Sequence, residues 1–274
     1  MVNAFIITQN EPFYIPKMLQ LLSEEQNKGY RIVGATVLSP TRKNKKYNDW
    51  LNERLKIYTL YELFIVGISF TYAKFLNLIL KSNSPYSCTR ILKQRGIKII
   101  ETKDINTPDY ILKLKNLGID VIISISCPQI FGSELLITPK KYCINAHGTL
   151  LPRHRGVFGS FWTLHDNDQV AGSTIHTMEL RLDAGKILWQ REFPISKNDT
   201  QFSIAYKTKR DMALGLVEVL TSLAKCKPLE IIEPKYKSSY HKAPSKEHAK
   251  TFRKLGRKIV KLSDIPLMLK LSFK

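Results

Sequence analysis

Gly118-Ile-Asp-Val-Ile-Ile-Ser-Ile125 and, one turn and a short helical stretch later, Tyr142-Cys-Ile-Asn-Ala146 decide the fold. Both are short apolar runs bounded by turn residues, the pattern of strands covered on both faces. The turn between them is Cys127-Pro-Gln-Ile-Phe131, followed by a helix near 133–138. The same alternation extends upstream. Ala4-Phe-Ile-Ile-Thr8 reads as a first strand, and Pro12 and Pro16 open a helix whose Ile15, Met18, Leu19 and Leu22 share one face. Gly29 stands where a cap belongs, and Arg31-Ile-Val-Gly-Ala-Thr-Val-Leu38 reads as a second strand. Gly96-Ile-Lys-Ile-Ile100 is a third strand candidate, and 108–117 is helical. The expectation is an α/β, Rossmann-like fold: a mostly parallel sheet with helices on both faces.

Downstream the pattern changes. Ser173–Glu179 and Ile187–Phe193 read as two strands of an antiparallel extension. Asn198-Asp-Thr200 is an N-cap for a long helix whose inward stripe is Ala205, Met212, Leu216, Val219, Leu220 and Leu223. Residues 1–227 are expected to form the main domain and 228–274 a short basic C-terminal appendage. Ten Lys and Arg face two acids between Glu233 and Leu262 there, and Phe252, Leu255 and Ile259 supply a thin apolar face.

The chain of 274 residues carries 43 Lys and Arg against 23 Asp and Glu, a formal charge of +20. That charge is read either as a solvated Lys-rich surface or as an electrostatic footprint for an anionic partner. Thr41-Arg-Lys-Asn-Lys-Lys46 is a basic loop, and 49–82 is aromatic and helical, read as a hairpin packed on the sheet. The longest charge-free apolar run, Leu63–Ala73, has 11 residues, against the roughly 20 that span a bilayer, so no integral membrane span and a cytoplasmic location are expected. Cys88, Cys127, Cys143 and Cys226 form no C-x-x-C pair and read as reduced thiols, and no metal site is expected.

Asn145 and His147 lie two residues apart at the end of an apolar strand, so their side chains point the same way. An Asn amide donates to a developing oxyanion, and a His donates or shuttles a proton. Asp183 follows His147 by 36 residues, in a Leu-Asp-Ala-Gly turn. A carboxylate there can orient or charge the imidazole. Each residue also has a structural reading on its own: a core His, a turn-forming Asp. His154, His165 and His176 receive no role, and His176 is placed on a strand face.

Cys143-Ile-Asn-Ala-His-Gly-Thr-Leu-Leu-Pro-Arg-His-Arg-Gly156, with Thr174-Ile-His-Thr-Met-Glu-Leu-Arg-Leu-Asp-Ala-Gly-Lys-Ile-Leu188, resembles the two central motifs of the folate-dependent formyltransferases. The resemblance covers roughly 118–225. It implies a Rossmann-like formyltransferase fold, 10-formyltetrahydrofolate as formyl donor, and Asn145, His147 and Asp183 as catalytic residues. By the same analogy Gln129, Ile130, Phe131, Leu150, Leu151 and Pro152 flank the folate pocket. Arg153, Arg155 and Gly156 lie near the acceptor, where guanidinium can pair with phosphate; a salt bridge that fixes the loop is the other reading of the two Arg.

The acceptor is expected to be a primary amine on a small anionic molecule, a nucleotide-linked or phosphorylated amino sugar. The short basic tail, with Tyr236, Tyr240 and His241 near Pro244, resembles the sugar N-formyltransferases more than the β-barrel of the methionyl-tRNA enzymes. A tRNA acceptor is the alternative, since the charge serves it equally. A formyltetrahydrofolate hydrolase and a non-catalytic basic RNA-binding protein complete the alternatives. The sequence fixes no oligomeric state.

Overall fold

The computed structural model describes residues 1–40, 47–80 and 86–273. The strands are β1 (Val2–Gln9), β2 (Tyr30–Leu38), β3 (Val121–Ile125), β4 (Tyr142–His147), the two-residue β5 (Arg155–Gly156), β6 (Val170–Thr177), β7 (Ile187–Pro194) and the two-residue β8 (Tyr240–His241). Six of them form one sheet in the order β2-β1-β3-β4-β6-β7, and β5 pairs with β8 apart from it. The pairings are parallel from β2 through β4 and antiparallel from β4 through β7. The mostly parallel sheet and its antiparallel extension stand where the sequence puts them.

The helices are α1 (Ile15–Glu24), α2 (Tyr47–Leu55), α3 (Leu60–Ile79), α4 (Cys88–Gln94), α5 (Pro108–Lys115), α6 (Ser133–Leu136), α7 (Gly159–His165), α8 (Gln201–Ala224), α9 (Lys246–Lys254) and α10 (Ile265–Leu269). Strand alternation divides the core in two. Ala4 and Ile6 of β1 face the cluster built with α1, α4 and α8, while Phe5 and Ile7 face the one built with α5 and α6. In β4, Ile144 and Ala146 join the first cluster and Cys143 the second, so Asn145 and His147 share the face of Cys143. The Asn198-Asp-Thr200 signal caps α8: Thr200 Oγ1 accepts from the Ser203 N–H at 3.0 Å.

Three expectations are corrected. Gly96–Ile100 forms no strand; it touches β2 only at the Ala35–Ile99 bridge, with the Ala35 N–H donating to the Lys98 carbonyl at 2.8 Å and the Ile100 N–H to the Ala35 carbonyl at 2.9 Å. Gly96 turns the chain into this run at φ +66°, and the run meets β2 at a single rung. Leu255 follows α9 and is exposed, whereas Phe252 and Ile259 are buried as expected. The 49–82 hairpin is not a sheet cover. Its second helix, α3, packs mainly against α10 through a narrow stripe of Glu62, Ile65, Ser69 and Ala73. Leu60, Phe64, Ile68, Phe75 and Leu78 face outward, and a groove of about 570 Å³ runs along Phe64, Gly67, Ile68 and Phe75. At 20 residues α3 is long and apolar enough to cross a bilayer by length and composition alone; in this fold one side of it belongs to the protein core. The basic loop Thr41–Lys46 lies outside the described residues.

The C-terminal segment is woven into the body. Phe252 stacks on Phe161 with ring centroids 4.6 Å apart, and Met268 and Phe273 are buried in the main core. The Lys17 ammonium donates to the Leu267 and Met268 carbonyls at 3.0 and 3.3 Å. Burial pushes that ammonium down to about 8, partly opposed by the Glu11 carboxylate.

Candidate active site

β4 and its antiparallel neighbour β6 place Asn145 opposite His176 and His147 opposite Thr174. The turn after β6 then folds back over this face of the sheet. It is pinned by Thr177, whose N–H donates to the Lys186 carbonyl at 2.9 Å and whose Oγ1 accepts from the Lys186 N–H at 2.8 Å. Gly185 is required there: a Cβ would come within 1.8 Å of the Thr177 carbonyl oxygen. This close approach is why the Leu-Asp-Ala-Gly motif ends in glycine, and it delivers Asp183, at φ +50°, onto the imidazoles.

Asp183, 36 residues beyond His147 in sequence, is brought beside it, and Asn145 joins them through His176. Asp183 Oδ1 stands 3.7 Å from His147 Nδ1 and 3.7 Å from His176 Nε2. Asp183 Oδ2 accepts from the Gly156 N–H at 2.8 Å, so the carboxylate also holds the end of the 148–156 loop. Gly156 has φ +101°, and a Cβ there would lie 2.2 Å from the His241 carbonyl oxygen. The His147, His176 and Asp183 side chains are largely buried, and Asn145 is half-buried. At 3.7 Å the carboxylate and each imidazole are an ion-pair distance apart but beyond a direct hydrogen bond.

His176, given no role by the sequence, is the hub of this arrangement. Its Nδ1–H donates to the Thr177 carbonyl at 2.7 Å, which leaves Nε2 as an acceptor for the Asn145 amide at 3.1 Å. Burial pushes His176 down to about 4; the nearby His147 works the same way and Asp183 opposes both. His176 is therefore a neutral ring that fixes the Asn145 amide. The signal was present in the Thr-Ile-His-Thr run, but only the β4–β6 register shows which residue faces it. His147 Nε2 donates to the His154 carbonyl at 3.1 Å, which turns its Nδ1 toward Asp183.

Thr174 organises the loop beneath. Its Oγ1 donates to the Thr149 carbonyl at 2.7 Å and accepts from the Leu151 N–H at 3.1 Å and from Gln190 at 2.9 Å. Leu150 and Leu151 are buried, Pro152 is half-buried, and Phe131 belongs to the α5 side of the core. Ile130 is 71% exposed. Gln129 accepts from the Ile105 N–H at 3.0 Å and donates to the Lys103 carbonyl at 2.8 Å, binding two loops together. Arg153 is engaged inside the fold: it pairs with Asp168 at 3.1 Å, reaches the Val170 carbonyl at 3.3 Å and lies 4.3 Å from the Tyr236 ring centroid. Arg155, like Arg153, has a buried Nε with no hydrogen-bond partner among the described residues.

Residues 73–220, which include every one of these site residues, match the formyl transferase family. The chain belongs to that family. The chain spans less than half the length of the curated relatives it matches. A methionyl-tRNA formyltransferase of Ruminiclostridium cellulolyticum is 33% identical over 127 residues, 46% of this chain and 39% of that protein. The fold is shared with a sugar N-formyltransferase from Shewanella sp. at TM-score 0.56 and 20% identity, covering 88% of this chain and 76% of that one. It is also shared with an N-formyltransferase from Helicobacter canadensis, solved with folinic acid and dTDP-3-aminofucose, at TM-score 0.56 and 18% identity, covering 88% and 71%.

Proposed function

We propose that this chain transfers a formyl group from 10-formyltetrahydrofolate to the primary amine of a nucleotide-linked or phosphorylated amino sugar. The observation that carries the reading is the convergence of Asn145, His147 and Asp183 on one face of β4. The amine attacks the formyl carbon, its C–N bond forms, and the carbonyl oxygen takes the electron pair. The Asn145 amide, held by His176, keeps one N–H for that oxygen; a donor of this kind is typically worth ~3–4 kcal/mol in the transition state. His147 acts through Nδ1, since Nε2 is committed to the His154 carbonyl. Protonated there, it donates to the oxyanion, while Asp183, 3.7 Å away, faces the ring and relays the amine's proton through water. Collapse of the tetrahedral centre returns the pair to the carbonyl and expels the tetrahydrofolate nitrogen, which takes a proton.

Gln129, Ile130 and the 150–152 backbone would flank the folate, with the exposed Ile130 side chain as an apolar contact. The unpaired Nε of Arg155, next to Gly156, suits an acceptor phosphate. Arg153, bound to Asp168 and Tyr236, would shape the loop. The sugar-linked acceptor is supported by the likeness in fold to the sugar N-formyltransferases. The second reading, a methionyl-tRNA acceptor, is favoured by the identity to that relative and by the charge of +20. An acceptor screen with 10-formyltetrahydrofolate separates them. Formylation of an amino sugar nucleotide and not of aminoacylated tRNA supports the proposal. The reverse result replaces it with the second reading, and release of tetrahydrofolate without any acceptor makes the chain a hydrolase.

A further inference from the structure

The six histidines of the chain fall into two groups. His147 and His176 belong to the site above; His165, His241 and His248 gather around Trp162, and His154 packs on His241. Within the second group three potential metal-ligand atoms face one another. His154 Nδ1 is 3.1 Å from His241 Nε2, and Asp166 Oδ2 is 3.8 Å from each of them. A triangle with sides of 3.1, 3.8 and 3.8 Å has a circumscribed radius of about 2.1 Å, which matches zinc–nitrogen and zinc–oxygen bonds of ~2.0–2.2 Å.

The surroundings orient the ligands as a metal site requires. His154 Nε2 donates to Asp168 Oδ2 at 2.8 Å, which bares Nδ1 toward the triangle, and Asp168 is itself held by Arg153 at 3.1 Å. A carboxylate behind a ligating imidazole is the usual outer partner of zinc histidines. Asp166 Oδ1 accepts from His165 at 2.7 Å, leaving Oδ2 for the triangle. Trp162 stacks on His241 with centroids 4.4 Å apart and fixes its ring. Without a cation, one imidazole N–H bridges His154 Nδ1 and His241 Nε2 at 3.1 Å, and Asp166 Oδ2, on a side chain 37% exposed, stands 3.8 Å from both nitrogens, beyond a direct hydrogen bond. A cation uses all three lone pairs at once.

We propose that His154 Nδ1, His241 Nε2 and Asp166 Oδ2 bind one zinc-class divalent cation, with water in the fourth position on the open side of Asp166. The ligands come from the site loop, from β8 in the C-terminal segment and from the end of α7. The ion would therefore clip the C-terminal segment to the loop whose His154 carbonyl holds His147. This role is independent of which acceptor is formylated.

The test uses the untagged full chain, stripped with a chelator, dialysed and titrated with Zn(II) against a chromophoric competitor. One tight equivalent per chain and a rise in Tm of about 5 °C at saturating Zn(II) are expected. His241→Ala should weaken binding about 100-fold or more and Asp168→Asn about 10-fold, whereas His248→Ala should bind as the parent does. Co(II) loading of the unmodified chain should give visible absorption bands of a four- or five-coordinate nitrogen–oxygen site, so the proposal stays testable should a variant fail to fold. Substoichiometric Zn(II), Co(II) spectra of the free ion, or unchanged affinity in His241→Ala would overturn it.

Discussion

The β4–β6 centre and helix α3 reverse each other's polarity. Around β4 the buried side chains are polar and each has a partner: Asn145 on His176, His176 on Thr177, His147 on the His154 carbonyl and Asp183 on the Gly156 amide. On α3 the outward side chains are apolar, with Leu60, Phe64 and Leu78 among the more exposed large hydrophobic residues described. A buried polar group is costly unless paired, so a nest of them persists only where every member is satisfied or used. An exposed apolar face needs no such network to fold. Interior polarity thus locates the chemistry, whereas the apolar content of α3 reports neither core nor site.

The sharpest way to break the comparison is to remove a member of the polar nest. His147→Ala should lower formyl transfer by about 10²–10⁴-fold, with the near-ultraviolet circular dichroism and Tm close to the parent's. Turnover near the parent's would take His147 out of the reaction. On α3 the inward and outward sides should differ by kilocalories. Ile65→Ala should cost about 2–5 kcal/mol in urea unfolding, because Ile65 is buried in the main core; a change under 0.5 kcal/mol would show that α3 is not anchored by that stripe.

His176→Gln should reduce formyl transfer about 10-fold by loosening Asn145. It also carries a pH signature. His176 in the fold titrates near 4, below the ordinary 6.5, so the unfolded chain binds a proton in that window and the folded chain does not. Stability is therefore highest above 6.5 and is lost as pH falls from 6.5 toward 4, and His176→Gln should flatten this segment of the stability curve. An unchanged slope would mean that the ring is not held neutral. The smallest effect belongs to the outward face: Phe64→Gln should leave stability within about 0.5 kcal/mol, and a larger loss would reveal packing that Phe64 makes in solution.

What was legible in the sequence follows the same division. β1, β2, β3 and β4 are covered on both faces, so each reads as an apolar run, and the site motifs sit at the ends of such runs. The Asn145, His147 and Asp183 candidates come from the resemblance of their two motifs to the family's, since each residue alone also has a structural reading. His176 was not readable, since its partner lies across a strand pair 31 positions away and register is a tertiary property. Gly96–Ile100 was misread because an apolar run does not reveal how many rungs it shares with a neighbour. The outward side of α3 was hidden for a related reason: Leu60 and Ile65 contribute equally to any count of apolar residues, though one is exposed and the other buried.

The Gly156 N–H donates to the very carboxylate that faces both imidazoles. That single amide proton is a native spectroscopic probe. Its NMR resonance should move when Asp183 gains a proton or an acceptor amine arrives, and its deuterium uptake should track every opening of the loop, so the state of the centre is readable in an unlabelled side chain's neighbour without altering a residue.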